Sequence, residues 1–112
     1  MKETVIDGVN LEWTDSSIRI EGESDGETTF FNKKFPTGTV VEIIEYLVEN
    51  DLTVEDVAVS DNCLKVTNPS APKARSYPFD DETCAKFARE LISYFFFVKD
   101  GSDDDDDEED DD

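Results

Sequence analysis

Acidic side chains are the candidate functional groups of this sequence, and the longest stretch without a Lys or Arg spans residues 35–64. Glu42, Glu45 and Glu49 are spaced i, i+3 and i+7, so a helix would align them on one face. Each like-charge neighbour pair costs about 0.2–0.5 kcal/mol of helix stability. The row predicts contact with a cationic partner, with a merely solvated helix face as the alternative. Further acids extend it into an anionic ridge: Asp51, Glu55 and Asp56.

A second group of acids surrounds a predicted hairpin tip and consists of Glu21, Glu23, Asp25 and Glu27. Glu21 and Glu23 would share one face, because strand side chains alternate with a period of two. These acids support the same partner-binding prediction. Charge on an exposed edge strand also prevents aggregation, and the sequence does not separate the two interpretations.

The C-terminus is the third acidic feature. Residues 100–112 hold 11 acids and neither a base nor an apolar residue, which predicts a disordered, extended tail. An extended chain advances about 3.3–3.6 Å per residue, close to the advance of about 3.4 Å per phosphate on one DNA strand. Partner contact and a solubility tail are both open. The acids concerned are Asp103, Asp104, Asp105, Asp106, Asp107, Glu108, Glu109, Asp110, Asp111 and Asp112.

Catalytic chemistry finds little support. The chain has no histidine, which removes the commonest general base and metal ligand. The cluster Asp80-Asp81-Glu82 is explained by helix capping. Two cysteines, Cys63 and Cys84, fall at apolar positions of a predicted strand and helix, which indicates buried free thiols. We therefore predict a protein that is not an enzyme, with no catalytic residues, no metal and no cofactor.

Net charge bounds the class of partner. The formal charge is -20, from 30 acids against 10 bases, so phosphate backbones and anionic membranes would be repelled. The longest apolar run, Tyr94 to Val98, is far too short for a bilayer span. The N-terminal segment lacks the apolar stretch of a signal peptide. We expect a cytoplasmic protein with a basic protein as partner and with neither nucleic acid nor membrane bound directly.

The elements that position these acids begin with strands. Apolar and polar residues alternate over 9–13 and 18–20, which is typical of half-buried strands. Turns predicted at Asp15-Ser16 and Asp25-Gly26, with a further strand over 27–35, give a three-stranded meander. Thr39 and Glu42 then have capping-box spacing, and apolar residues at helical spacing predict a helix to about Asn50.

The second half repeats this order. A hairpin is predicted around Asp61-Asn62, a short strand over 74–79 with Pro78 on an edge, and a helix after residue 82. The spacing from Phe35 to Leu47 matches that from Phe79 to Leu91 and suggests an internal duplication. The predicted fold class is α+β: a largely antiparallel sheet with two helices on one face. Residues 1–99 would form this domain and residues 100–112 the tail.

In charge design, rather than in any diagnostic motif, the chain resembles the phage-encoded acidic DNA-mimic proteins. Small size, the base-free run 35–64, the row at 42, 45 and 49, and the acidic tail carry the resemblance. Such proteins occupy the DNA-binding surface of a host protein, among them restriction enzymes, RNA polymerase, nucleases and histone-like nucleoid proteins such as HU. The resemblance implies an inhibitor acting in the host cytoplasm, with HU-type proteins as the first expected target. The basic segment 65–75 departs from this pattern.

Other classes of function stay open. A chaperone or scaffold for basic proteins would use the tail as its main contact. A single-strand-binding regulator is a poorer match, because Trp13 is the only tryptophan and exposed bases are few. The aromatic end of the second helix also predicts a homodimer through Phe96 and Phe97, with burial inside a monomer core as the alternative.

Overall fold

The computed structural model describes residues 1–23 and 25–100, and the chain begins with a four-stranded antiparallel meander in the order β1-β2-β3-β4. The prediction of three strands was wrong, because it missed the first one. Asp7 and Gly8 both have positive φ, 50° and 82°, and form a two-residue turn that pairs Ile6 with Val9. An Asp-Gly pair is the sequence signal for such a turn. The strands are β1 (Lys2–Ile6), β2 (Val9–Thr14), β3 (Ser17–Glu21) and β4 (Gly26–Phe30).

The hairpin between β3 and β4 is longer than predicted. A two-residue turn at Asp25-Gly26 was expected, but Gly26 already pairs with Glu21 as the first residue of β4. The backbone N–H of Gly22 donates to the carbonyl of Asp25 at 2.7 Å, which closes the loop. Strand β4 ends at Phe30 rather than Phe35. Because β3 ends at Glu21 and β4 begins at Gly26, the acids of this hairpin lie on the loop as well as on the strands.

Helix α1 (Thr37–Glu49) ends where predicted, near Asn50, but begins before the predicted cap at Thr39. The capping box predicted for Thr39 and Glu42 is absent: the N-cap is Pro36, which offers no side-chain cap. The Thr37 hydroxyl instead donates to the carbonyl of Thr14 and fixes the helix to the end of β2.

The end of α1 is well defined. The N–H of Leu52 donates to the carbonyl of Leu47 at 2.8 Å, and Asp51 takes the left-handed conformation with φ 59°. This arrangement is a Schellman motif, in which the left-handed position is usually glycine. Leu52 is buried, and its packing stabilises the turn.

A 3-10 turn (Val54–Asp56) leads into a three-stranded antiparallel sheet and helix α2 (Glu82–Lys99). Its strands are β5 (Val57–Ser60), β6 (Cys63–Val66) and β7 (Arg75–Pro78), in the order β5-β6-β7. The predicted hairpin at Asp61-Asn62 and the edge position of Pro78 are confirmed. The Asp81 carboxylate accepts the Cys84 N–H at 2.8 Å, as expected for a cap of α2.

The predicted α+β class is confirmed, but the strands form two sheets rather than one. Helix α2 contacts strands of both sheets, and α1 packs on α2 and on β2. The apolar stripes of both helices are buried against these neighbours, and Phe95 of α2 is fully inaccessible to solvent. The core therefore forms where α2 bridges the two meanders.

The two halves of the chain share a local plan. The N–H of Phe31, just after β4, donates to the carbonyl of Ser16 at 2.9 Å. The N–H of Phe79, just after β7, donates to the carbonyl of Asn62 at 2.8 Å. Each acceptor is the second residue of a two-residue turn, and each donor is followed by a helix. The segment β2-β3-β4-α1 thus has the same order and the same closing hydrogen bond as β5-β6-β7-α2.

Candidate protein-binding surface

Helix α1 presents the predicted row of acids to solvent. Glu42, Glu45 and Glu49 are all exposed. The opposite side of the helix is buried, including Val40, Ile43, Ile44 and Leu47. Among the described residues, no ion pair involves the three carboxylates of the row. Their charge is therefore free to act on a partner, on a helix that the core holds in place.

The ridge beyond the row is shorter than predicted. Asp51 and Glu55 are exposed, at the end of α1 and in the following turn. Asp56, however, accepts the backbone N–H of Thr53 through its carboxylate at 2.9 Å and completes a capping box. Asp56 therefore has a local structural role, and the exposed acids of the ridge beyond the row are Asp51 and Glu55.

The linear charge density of this row is moderate. The row spans seven residue steps, about 10.5 Å at about 1.5 Å per residue, so its charges are about 5 Å apart along the axis. One DNA strand carries a phosphate every 3.4 Å or so. The row is thus sparser than DNA, and fixed geometry rather than charge density is its distinguishing property.

The basic segment 65–75 lies against α1. The Arg75 guanidinium sits over the ring of Tyr46, 4.2 Å from its centroid, and Asn68 donates to the Tyr46 hydroxyl at 3.1 Å. The Tyr77 hydroxyl beside Arg75 raises the pKa of the guanidinium. Arg75 is therefore held by the Tyr46 ring and the Tyr77 hydroxyl, and it forms no ion pair with an acid among the described residues.

The second acidic group divides into separate environments. Glu21 pairs with Arg19 at 2.8 Å, and β3 ends there, so the prediction that Glu21 and Glu23 share a strand face was wrong. Glu23 and Glu27 are exposed, and Asp25 is half-buried. Burial, together with Glu27 and Asp25, raises the pKa of Tyr94 on α2. These acids therefore lie beside the second helix and not beside the row on α1.

The tail acids predicted as partner contacts, Asp103–Asp112, lie outside the described residues. Phe96, predicted to be uncovered, is instead buried against Phe95, with ring centroids 5.1 Å apart. Phe97 is exposed, as predicted, and 59% of its surface is accessible. A dimer through this helix would therefore have Phe97, and not Phe96, as its aromatic contact.

The cysteines lie in less buried positions than predicted. Cys63 and Cys84 are both free and half-buried. Burial raises the pKa of the Cys84 thiol, and the Asp81 carboxylate beside it adds to that shift. The hydrogen bond from the Cys84 N–H lowers the pKa of Asp81. Residues 1–23 and 25–100 contain no group of three acids or cysteines placed to hold a metal ion.

Sequence reasoning missed a cleft of about 370 Å³ between the ends of the two helices. Asp51 and Glu55 line it together with Asp7 and Lys99, and the Lys99 ammonium is 3.7 Å from the Asp7 carboxylate. Asp7 lies in the first turn of the chain and Lys99 at the end of α2, and no local pattern relates them. Asp51 and Glu55 thus border a concave surface whose own lysine, Lys99, is paired with Asp7 and Asp100.

No family model, no curated protein and no solved structure matches the chain. In the part of the chain that the structure describes, no helix has the length and apolar character needed to cross a bilayer.

Proposed function

We propose that the protein is a DNA-mimic inhibitor: it binds the DNA-binding surface of a basic protein, first of all a histone-like nucleoid protein such as HU, and blocks DNA binding there. The observation that carries the proposal is the exposed, base-free row Glu42, Glu45 and Glu49 on a helix whose other side is buried. The cytoplasm, where such targets reside, is the proposed location.

Rigid placement supports selectivity. Coulomb attraction alone would bind any cationic protein weakly, and it would be screened over about 8–10 Å at physiological salt. Carboxylates fixed on a helix can instead match a set of lysine and arginine side chains at defined separations. Because the partner's cations would exchange phosphates for carboxylates, binding and DNA displacement should weaken together as salt rises.

A gel-shift competition between the protein and labelled duplex DNA for HU tests the proposal. The wild-type protein should displace DNA of any sequence, less effectively at higher salt. The variant Glu42→Lys/Glu45→Lys/Glu49→Lys should lose displacement by tenfold or more while remaining folded by circular dichroism.

A matched variant separates the row from net charge. Glu3, Asp80 and Glu82 are exposed acids outside the row, and their replacement by lysine changes the net charge by the same amount. This control should keep most of the competition. Equal losses in both variants, or no loss in the row variant, would contradict a specific role for the row.

A chaperone or scaffold for basic proteins is the second candidate, favoured by the ten consecutive acids of residues 103–112. For the DNA mimic, deletion of residues 100–112 should slow association more than it speeds dissociation, measured by surface plasmon resonance. A chaperone should lose most binding on that deletion. A stable complex containing this protein, its partner and DNA together would favour the scaffold over the mimic.

A further inference from the structure

The outer edge of β4 is an open strand edge. The hydrogen bond from the Phe31 N–H to the Ser16 carbonyl fixes the phase of the β3–β4 ladder. Because bonded and non-bonded pairs alternate, Thr29 and Glu27 bond to β3, and the peptide groups of Gly26, Thr28 and Phe30 point away from it. These three residues are exposed. The edge therefore offers unpaired donors and acceptors to a further strand.

Other strand edges are less suited to a cationic partner. The β5 edge is partly satisfied, since Arg89 of α2 donates to the Val57 carbonyl at 2.7 Å. The β7 edge contains Pro78, which has no N–H to donate. The β1 edge carries Lys2 beside Glu3, so it has no net negative charge to attract a basic segment.

A groove runs between β4 and α2 beside the open edge. Its volume is about 180 Å³, and Ile20 and Leu91 lie among its lining residues. Glu27 and Glu90 contribute carboxylates to it, and Tyr94 contributes a ring. Side chains of a strand added to β4 would alternate between this groove and the opposite face.

We propose that the β4 edge binds an extended basic segment of a partner protein, with basic residues facing the groove and apolar residues between them. Basic side chains on the groove side would meet Glu27, Glu90 and the face of Tyr94, to which a cation is attracted. On the opposite face, Phe30 is 78% exposed and offers an apolar contact. Main-chain hydrogen bonds would supply affinity and the alternating contacts specificity.

Charge decides against a second copy of this chain as the occupant. Two copies would bring together two strands that each carry Glu27, on chains of net charge -20. A net charge this far from zero opposes association between copies. The inference rests on the proposed function only for its class of partner, a basic protein, because the surface is separate from the row on α1.

The probe is a blocked synthetic peptide of about eight residues that alternates lysine and valine, a length typical of strands. On titration into the full-length protein, amide exchange should slow at Gly26, Thr28 and Phe30. The same peptide with every backbone nitrogen methylated keeps its charge but has no N–H to donate to β4, so it should bind at least tenfold more weakly. Equal binding of both peptides would overturn the proposal.

Thr28→Pro tests the edge from the protein side. It removes an outward N–H and leaves the bonds to β3 intact, so the variant should stay folded and bind the lysine–valine peptide at least tenfold more weakly. If it does not fold, the methylated peptide decides. Unchanged binding by folded Thr28→Pro, or peptide protection on α1 instead of β4, would refute strand addition. Concentration-dependent protection of β4 without peptide would assign the edge to a second copy.

The two proposals fail separately. If the peptide slows amide exchange on β4 but the protein does not displace DNA from HU, only the DNA-mimic function is refuted. If the protein displaces DNA but the peptide does not slow amide exchange on β4, only the proposal for the β4 edge is refuted. The row variant Glu42→Lys/Glu45→Lys/Glu49→Lys should bind the peptide within about threefold of wild type, because its substitutions lie on another surface and act only through screened long-range charge.

Discussion

The two helices follow the same local plan but differ in charge. On α1 the exposed acids Glu42, Glu45 and Glu49 have no base among them. On α2, Glu82 pairs with Lys86 one turn later, with an N···O distance of 3.8 Å. Because the two helices follow similar meanders, the fold itself does not require the acidic face of α1.

The stabilising devices of the two helices differ in the same sense. Helix α2 has an aspartate cap, an acid in its first turn and a lysine in its last. Helix α1 has none of these, and Glu49 lies in its last turn. A negative charge there opposes the helix dipole. The acidic row therefore costs α1 stability, whereas the charges of α2 add to it.

The largest expected effect concerns the core of α2. Phe95 is fully buried, so Phe95→Ala should lower the free energy of unfolding by about 3–5 kcal/mol. Phe97→Ala, two residues later and exposed, should change it by less than about 0.5 kcal/mol. Urea unfolding followed by circular dichroism measures both. Comparable losses would mean that the end of α2 packs differently from the arrangement described.

The anchoring of α2 to the second sheet gives the next effect. Arg89 donates to the carbonyls of Val57 and Val54 at 2.7 and 3.1 Å. Arg89→Met would leave the Val57 carbonyl unpaired, whereas the Val54 carbonyl would keep its bond from the Val57 N–H, and the change should cost about 1–3 kcal/mol. Lys86→Met, on the exposed side of the same helix, is the control and should cost far less. If the two variants unfold at the same urea concentration, Arg89 is not an anchor.

A charge reversal on α1 should raise stability while lowering binding. Glu45→Lys turns two like-charge pairs, with Glu42 and Glu49, into opposite-charge pairs, which should add about 1 kcal/mol at low salt. Lys86→Glu on α2 breaks the pair with Glu82 and should cost a few tenths of a kcal/mol. Thermal unfolding at two salt concentrations measures both. A destabilised Glu45→Lys variant would contradict the view that the row costs stability.

Asp51 provides a smaller test of the same idea. Its φ of 59° suits glycine, so Asp51→Gly should leave the helix end intact and add about 0.5 kcal/mol. The substitution also removes one acid of the ridge, so competition with DNA for HU should weaken several-fold. Asp61→Gly, at φ 56° in the β5–β6 turn, is a matched control that should not alter competition. Unchanged competition in both variants would exclude Asp51 from the interface.

These contrasts show what local sequence patterns could predict. The end of α1 and the β5–β6 hairpin followed from apolar spacing and turn residues, and so did the solvent-facing position of Glu45. Strand β1 was missed although its Asp7-Gly8 turn carried a signal, because polar and apolar residues do not alternate over Lys2–Ile6. The cap at Thr39 was wrong because Thr37 finds a tertiary acceptor, the carbonyl of Thr14.

Features that depend on distant residues could not be predicted. The division into two sheets depends on α2 crossing both meanders, and no local pattern specifies that crossing. Phe96 is buried at the cleft that it shares with Val48 and Leu52, which are remote in the chain. The groove beside β4 likewise joins Glu27 and Tyr94, which are remote in the chain. Surfaces formed by tertiary packing are thus not predictable from the periodicity of the sequence.

The smallest expected effect concerns the first turn of α2, which Asp81 caps; α1 has no side-chain cap. Burial and the Asp81 carboxylate raise the pKa of the Cys84 thiol. Because the thiolate is the nucleophile, Cys84 should react with iodoacetamide several-fold more slowly at pH 8 in the folded than in the unfolded protein. A Cys63→Ser background leaves this thiol as the single reporter. The rate should rise as the pH passes through the raised pKa.

Asp81→Asn separates the two causes of this shift. Asparagine is also a good N-cap, so α2 should keep its start while the negative charge beside Cys84 is lost. The pKa of Cys84 should then fall toward its ordinary value, and alkylation at pH 8 should become faster. Because the folded protein holds the thiol protonated to a higher pH than the unfolded chain does, its free energy of unfolding falls as the pH rises through the raised pKa. Asp81→Asn should therefore lose less stability than the parent above pH 9 or so. An alkylation profile identical to that of the parent would mean that burial alone sets the reactivity of Cys84.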